Sequence, residues 1–218
     1  PDGRRLRLGF DVVNQRFAHD RLKETEVAPF EANWVHTWRD AFGMPRVLVL
    51  QGQRVALPDS EAPQALALAA DGGSVLVGTA NRLLRYGRDG QLMWQQAVPE
   101  AVEDVAAARD GRWIVAALAD GTVRWYAAAT GRELAALFVH PDFKRWVLWT
   151  PEGPYVAAPG AESLFGWHLN QGPTREPRFV GSERLYDVFY RPDIVGARLR
   201  GEPVDGLATT TVAQALAR

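Results

Sequence analysis

Four histidines, His19, His36, His140 and His168, are the residues of this chain with which a metal site would begin. No two are spaced i, i+4, and each falls in a different repeat or loop, so no helical or hairpin pair of imidazoles is set up to share an ion. His140-Pro141-Asp142 reads as a turn between repeats, and His168 as one alternating residue of a strand. Neighbouring carboxylates occur at Glu24 with Glu26 and at Glu103 with Asp104, in the pattern of solvated acids rather than a general acid and base. With no cysteine anywhere, the chain holds no disulfide, no thiolate metal site and no thiol nucleophile. Neither a G-x-S-x-G elbow nor a Walker-type phosphate loop is present, and Gly72-Gly73 is accounted for by a hairpin. The expectation is no catalytic residues, no metal and no cofactor in this chain.

The elements that carry these residues are short strands in a repeat. Ala65 to Gly78 reads as an alternating strand, an Asp-Gly turn and a second strand, with Leu83 to Tyr86 and Asp89 to Trp94 supplying a third and a fourth. Asp104 to Leu118, then Gly121 to Tyr126, then Thr130 to Phe138 repeat the pattern. The Asp71-Gly72 and Asp110-Gly111 turns are 39 residues apart, and Tyr86 and Tyr126 are 40 apart. A third, looser copy spans Trp146 to Ala158 and Ser163 to Leu169, its Gly153 lying 42 residues beyond Gly111. A period near 40 with four strands per copy is that of a β-propeller, whose twisted sheets stack face to face because none can bury both faces alone. Small residues such as Ala106, Ala107, Ala116 and Ala117 suit strands crowded near the axis, while Trp94, Trp113 and Trp125 would fill the widening space between blades. Val47 to Leu57 reads as the outer hairpin of a preceding blade, Arg4 to Phe10 as a further strand, and Ala18 to Glu31 as a long surface connection.

Beyond Gly172-Pro173 the pattern turns helical. Ser182 is placed to cap a helix through Leu185, Val188 and Phe189, Pro192 to open a second helix to Leu199, and Thr211 to Arg218 to begin a third. The predicted fold is all-β, a partial β-propeller of about three to four four-stranded antiparallel blades with a short C-terminal helical extension. Residues 1–172 form the propeller portion, with clearest blades at 63–98, 101–139 and 142–170, and residues 173–218 form the extension or the start of a linker. Propellers close with about four to eight blades, so N-terminal blades are expected to be supplied elsewhere, in the same polypeptide or as a second chain. Pro1 rather than Met opens the sequence, which leaves room for a start and any targeting signal upstream.

Lys plus Arg number 25 against 26 Asp plus Glu, so no basic field draws nucleic acid or anionic lipid. No apolar run is long enough to span a membrane. The absence of cysteine fits a reducing cytoplasm, the expected location.

Gly121-Thr122-Val123-Arg124-Trp125-Tyr126 through Thr130-Gly131-Arg132-Glu133-Leu134 resembles the WD-repeat consensus, with Tyr126-Ala127 where the eponymous Trp-Asp would stand. A longer run has a narrower likeness: Phe138, Trp146 to Gly153, Tyr155, Gly166-Trp167-His168-Leu169-Asn170, Gly172, Phe179 and Phe189 to Val195. It resembles the last blade and exit segment of bacterial WD-repeat proteins whose propeller is joined to a caspase-like peptidase. The resemblance covers most of the chain, tightly from about Gly111 to Val195. It implies a peptidase following the propeller, beyond a linker beginning near Arg218. The Cys–His dyad of such a peptidase is not in this chain, which has no cysteine. An end at Arg218 fits cleavage after a basic residue, and fits an ordinary proteolytic or disorder limit at least as well.

These readings make the chain a non-catalytic interaction and regulatory scaffold for a caspase-like effector, with a protein trigger or substrate as further partner. Trp146, Trp149, Tyr155 and Arg191 could form a docking surface, although sealing the last blade and seating the exit helices is the favoured role for them. Arg191 is also placed to cap carbonyls at the preceding helix end. An alternative is a sensor or hydrolase with a small-molecule or metal site in the axial pocket; a third is a purely structural spacer.

Overall fold

The computed structural model describes residues 9–11, 16–18, 32–39, 43, 45–170, 173, 176–202, 204, 210 and 212–216. Most of Arg4 to Phe10, most of Ala18 to Glu31, and His19 lie outside the described residues. Two compact units divide the chain, one of residues 30–144 and one of residues 1–29 with 145–218. Strands β1 (Gly9–Asp11) and β2 (Arg16–Ala18) pair antiparallel within the second of these.

The unit of residues 30–144 is built from antiparallel meanders. Strands β3 (Val35–Arg39), β4 (Pro45–Leu50) and β5 (Gln53–Val55) form a three-stranded sheet, with β4 and β5 the outer hairpin read from the sequence. A four-stranded blade follows: β6 (Ala65–Leu68), β7 (Ser74–Gly78), β8 (Arg82–Gly87) and β9 (Leu92–Ala97). Its repeat is β10 (Val102–Ala107), β11 (Trp113–Leu118), β12 (Thr122–Ala127) and β13 (Glu133–Val139), again consecutive antiparallel neighbours. The registers repeat as the sequence does, since Val75 lies opposite Tyr86 and Ile114 opposite Tyr126. Asp71 and Asp110 close the equivalent turns, their carboxylates accepting the N–H of Gly73 (2.9 Å) and of Arg112 (3.0 Å). Between them and those partners, Gly72 and Gly111 take φ of +64° and +71°, a left-handed backbone that glycine adopts without steric cost.

Alternation decides which face of each strand meets the next sheet. Along β11, Ile114, Ala116 and Leu118 are buried while Trp113, Val115 and Ala117 are half-buried. Two apolar cores result. One joins Trp34, Val35, Leu48 and Leu50 to Val75, Val77, Leu84 and Tyr86. The other joins Leu76 and Leu83 to Val102, Val105, Ile114, Ala116 and Tyr126, with Trp94 packed against it. Polar clamps reinforce the stack. The carbonyl of Ala128 accepts from Arg85 Nη1 (2.8 Å) and from Trp94 Nε1 (3.0 Å). Glu61 binds the guanidinium of Arg82 and the hydroxyl of buried Thr79, and Asp59 takes the other arm of Arg82.

In the other unit, β14 (Trp146–Trp149) pairs with β15 (Tyr155–Ala157), and β16 (Gly166–Leu169) with β17 (Arg178–Gly181). The 142–170 repeat therefore differs from the two before it: β16 joins β17, a strand beyond the repeat, in a separate two-stranded sheet. A 3-10 turn at Ser182–Leu185 leads into α1 (Tyr186–Phe189), then α2 (Pro192–Arg200), and α3 (Val212–Leu216) lies further on. Pro192 opens α2 as expected, and Gly201 closes it in the left-handed conformation, its N–H reaching the carbonyls of Ala197 and Arg198. Ser182 does not cap a helix. Its buried hydroxyl instead donates to the carbonyl of Glu162 at 2.7 Å, so the turn is held by the loop before β16. The fold is all-β, a partial β-propeller of antiparallel blades with a short helical extension.

Candidate functional site

Side-chain chemistry concentrates on the exit segment, where nine aromatic residues fall between positions 146 and 190. Strand β15 sets the centre. Tyr155 is 1% exposed, and four rings surround or adjoin it. Phe165 stands edge-on at 4.7 Å, Tyr190 edge-on at 5.8 Å and Trp167 at 6.0 Å, while Trp167 meets Phe189 at 5.1 Å. Such edge-to-face pairs contribute about 0.5–1.5 kcal/mol each beyond area burial. Tyr186 stacks on Tyr190 at 4.6 Å and stays partly open to solvent.

Backbone bonds lock the same elements. Tyr155 forms a parallel bridge with Tyr190, and the N–H of Arg191 donates to the Tyr155 carbonyl at 2.9 Å. At the β14–β15 turn, Gly153 has φ of +114°, and an added Cβ there would come within 2.9 Å of the Phe189 ring. Glu152 in that turn accepts from Arg198 Nη2 of α2 at 2.7 Å. The first two exit helices are thus held against β14 and β15 by rings, a bridge and an ion pair.

Of the four residues singled out from the sequence, Trp146 and Tyr155 are buried, whereas Trp149 and Arg191 are partly exposed. Trp146 and Tyr155 are thus withdrawn from the solvent-facing surface, and Tyr155 acts as the packing centre. Arg191 departs from its expected capping role. Its guanidinium grips Asp193 with both arms, Nε to Oδ1 at 2.9 Å and Nη2 to Oδ2 at 2.6 Å, and these bonds hold the Asp193 carboxyl below the usual range. A carboxylate two residues on is a stronger acceptor for a guanidinium than the neutral carbonyls of a helix end. Phe165, Trp167, Tyr186, Phe189 and Tyr190 join the cluster without being among those four; the density of aromatic residues was the available signal.

Burial pushes the Tyr155 hydroxyl up to about 12. That hydroxyl has no well-aligned hydrogen-bond partner, and the Ser182 hydroxyl beside it donates to the Glu162 carbonyl. Tyr190 is pushed up as well, again by burial. Neutral phenols in an apolar cluster pack and orient.

His36 donates from Nε2 to the carbonyl of Asn33 (3.1 Å), His140 sits 3.2 Å from Asp142, and His168 is exposed on β16. Among the described residues no three His, Asp or Glu side chains converge as a metal site would require. Open clefts mark the described part of the 30–144 unit. One of about 450 Å³ is lined by Gln53, Arg54, Tyr86, Asp89 and Leu92, and one of about 730 Å³ by Asn33, Trp34, His36 and Arg88. In the latter Arg88 lies over the Trp34 ring at 5.2 Å, so its charge already has a partner. Among the described residues no helix is long and apolar enough to cross a membrane.

No protein-family model matches the sequence, and no curated protein matches it. Solved structures with some likeness include BamB from Moraxella catarrhalis, at 11% identity and a TM-score of 0.37 over 52% of this chain and 40% of that one. U3-55K is 13% identical, with a TM-score of 0.36 over 47% of this chain and 40% of its own. The computationally designed Ika4 protein is 20% identical, with a TM-score of 0.32 over 41% of this chain and 66% of its own. The chain spans less than half the length of BamB and of U3-55K, and under two thirds of Ika4.

Proposed function

We propose that this chain is the non-catalytic propeller portion of a bacterial WD-repeat-type protein, and that it scaffolds and regulates an attached caspase-like peptidase in the cytoplasm. The observation that carries this reading is the seating of the exit segment: Tyr155, Phe165, Trp167, Phe189 and Tyr190 fasten α1 and α2 to β15. An extension held this firmly can set the position of whatever follows it. N-terminal blades, from the same polypeptide or a second chain, complete the ring, and its loops receive a protein trigger or substrate. Resemblance of the Trp146 to Val195 run to the exit segment of such proteins supports the same assignment.

The test uses the full-length protein with its peptidase. Deleting residues 174–218, or replacing Tyr155 by Ala to loosen the seat, is expected to uncouple peptidase activity from its trigger. Unchanged regulation in both variants overturns the role of the extension. A native polypeptide or complex with no cysteine peptidase overturns the attachment itself.

A further inference from the structure

Matching bonds and registers put the outer strands β5 and β9 in equivalent places of successive sheets. The Gln51 N–H donates to the Trp34 carbonyl as the Arg88 N–H does to that of Gly73 and the Ala128 N–H to that of Arg112. Leu48, three residues before Gln51, therefore stands in its sheet where Arg85, three before Arg88, stands in the next. Opposite Arg85 on β9 is Trp94, and opposite Leu48 on β5 is Val55. Each outer strand then meets a turn of the following blade, Trp94 at Gly131 and Val55 at Gly90, glycines with φ of +72° and +82°. The two fits differ. The Trp94 ring lies so close that a Cβ on Gly131 would come within 2.5 Å of it, and its Nε1 donates to the Ala128 carbonyl. Val55 leaves 3.9 Å to the same position on Gly90, and its side chain carries no donor.

What valine leaves unfilled at this position is the cleft of about 450 Å³, lined by Val55, Leu57, Tyr86 and Gly90 and by Leu92, which is 42% exposed. We infer that this cleft is a docking site for a tryptophan side chain of another protein. The chain itself shows what the space accepts: at the next interval an indole lies on the equivalent glycine, against the core that holds Tyr126, the repeat counterpart of Tyr86. The counterpart of the Ala128 carbonyl is that of Arg88, and among the described residues it accepts no hydrogen bond. It is the acceptor for the incoming indole N–H. An open cleft encloses a free ring poorly, whereas a side chain arrives on a main chain that can lie across the rim, where Gln53 and Asp89 supply polar groups. Tryptophan is also among the residues that most often anchor protein interfaces. The wall at Pro58 is fixed in advance, since Asp59 and Ser60 after it hold φ of +50° and +58° while Arg82 grips Asp59 and Glu61. A preformed wall lowers the ordering cost of binding.

The 218-residue chain is tested on an array of heptapeptides with Trp fixed at the centre and the other positions varied, beside the same array with central Ala. Trp peptides are expected to be retained. In solution the best of them is expected to bind at least about tenfold tighter than its Ala counterpart or free indole, shifting the amide resonances of Val55, Gly90 and Leu92. Val55→Trp fills the cleft from inside, and is expected to raise the thermal midpoint by about 2–4 °C and to abolish peptide binding. Leu92→Lys is expected to weaken binding about tenfold with unchanged circular dichroism. Arrays that do not distinguish Trp from Ala overturn the inference. Free indole binding as tightly as the peptide also overturns it, making the cleft a small-molecule site. So does a folded Val55→Trp chain that still binds the peptide, or a Leu92→Lys chain that binds as well as the parent.

Discussion

Among the described residues two tyrosine hydroxyls are buried without a well-aligned partner, at Tyr126 and Tyr155. Burial raises the proton affinity of each, to about 12 for Tyr155 and further for Tyr126, because a phenolate could not be solvated there. The sign follows. In the unfolded chain these groups ionise near 10, so above that pH the folded state holds protons that the unfolded state has released, and stability falls as pH rises from 10 through about 12. Replacing Tyr155 or Tyr126 by Phe removes the titrating group while keeping the ring. Each variant is expected to lie within about 1 kcal/mol of the parent at neutral pH and to unfold at higher pH in an alkaline titration followed by circular dichroism. An unfolding midpoint in alkali that does not move would show that these phenols are not what alkali attacks.

At the scale of elements, blade stacking depends on how closely backbones approach. Gly78 ends β7 where a Cβ would stand 2.4 Å from Val102 Cγ1 and 3.2 Å from the Ala65 side chain, so the absent side chain is what lets β10 lie against this blade. Gly78→Ala is expected to cost about 1–3 kcal/mol, the range for overpacking a filled core, measured as a lower denaturant midpoint at unchanged slope. A loss well under that range would mean that Val102 can rotate away. Trp94 shows the same economy, its ring resting where a Cβ on Gly131 would come within 2.5 Å while its N–H reaches Ala128. In the exit segment the corresponding role falls to Gly153 beneath Phe189.

On the scale of the whole molecule, charges nearly cancel and the apolar residues are spent on sheet faces. The unit of residues 30–144 contains both inter-sheet cores, from Trp34 and Val35 through Tyr86 to Tyr126. Expressed alone, it is expected to melt cooperatively with the circular dichroism of a β protein, since each of its cores is made of residues from that unit. A broad, non-cooperative melt would show that its order depends on residues outside it.

The strand pattern, the 40-residue period and the Asp-Gly turns were legible in the chain itself, because alternation and turn chemistry are local properties. So were Pro192 as the opening of α2 and the lack of cysteine. Long-range competition decided the rest. Ser182 has the chemistry of a cap, yet Glu162 offers its carbonyl from 20 residues away. Strand β16 could have finished a blade, and β17 claims it instead. Arg191 turned to Asp193 rather than to a helix end. The sealing role favoured for Tyr155 and Trp146 left open which rings would meet them, and the rings that bury Tyr155 come from Phe165, Trp167 and Tyr190, whose distance in space no local pattern encodes. Residue types alone thus determined which strands and turns this chain forms, and tertiary packing decided which polar groups and rings remain free, because each partner is settled by three-dimensional proximity.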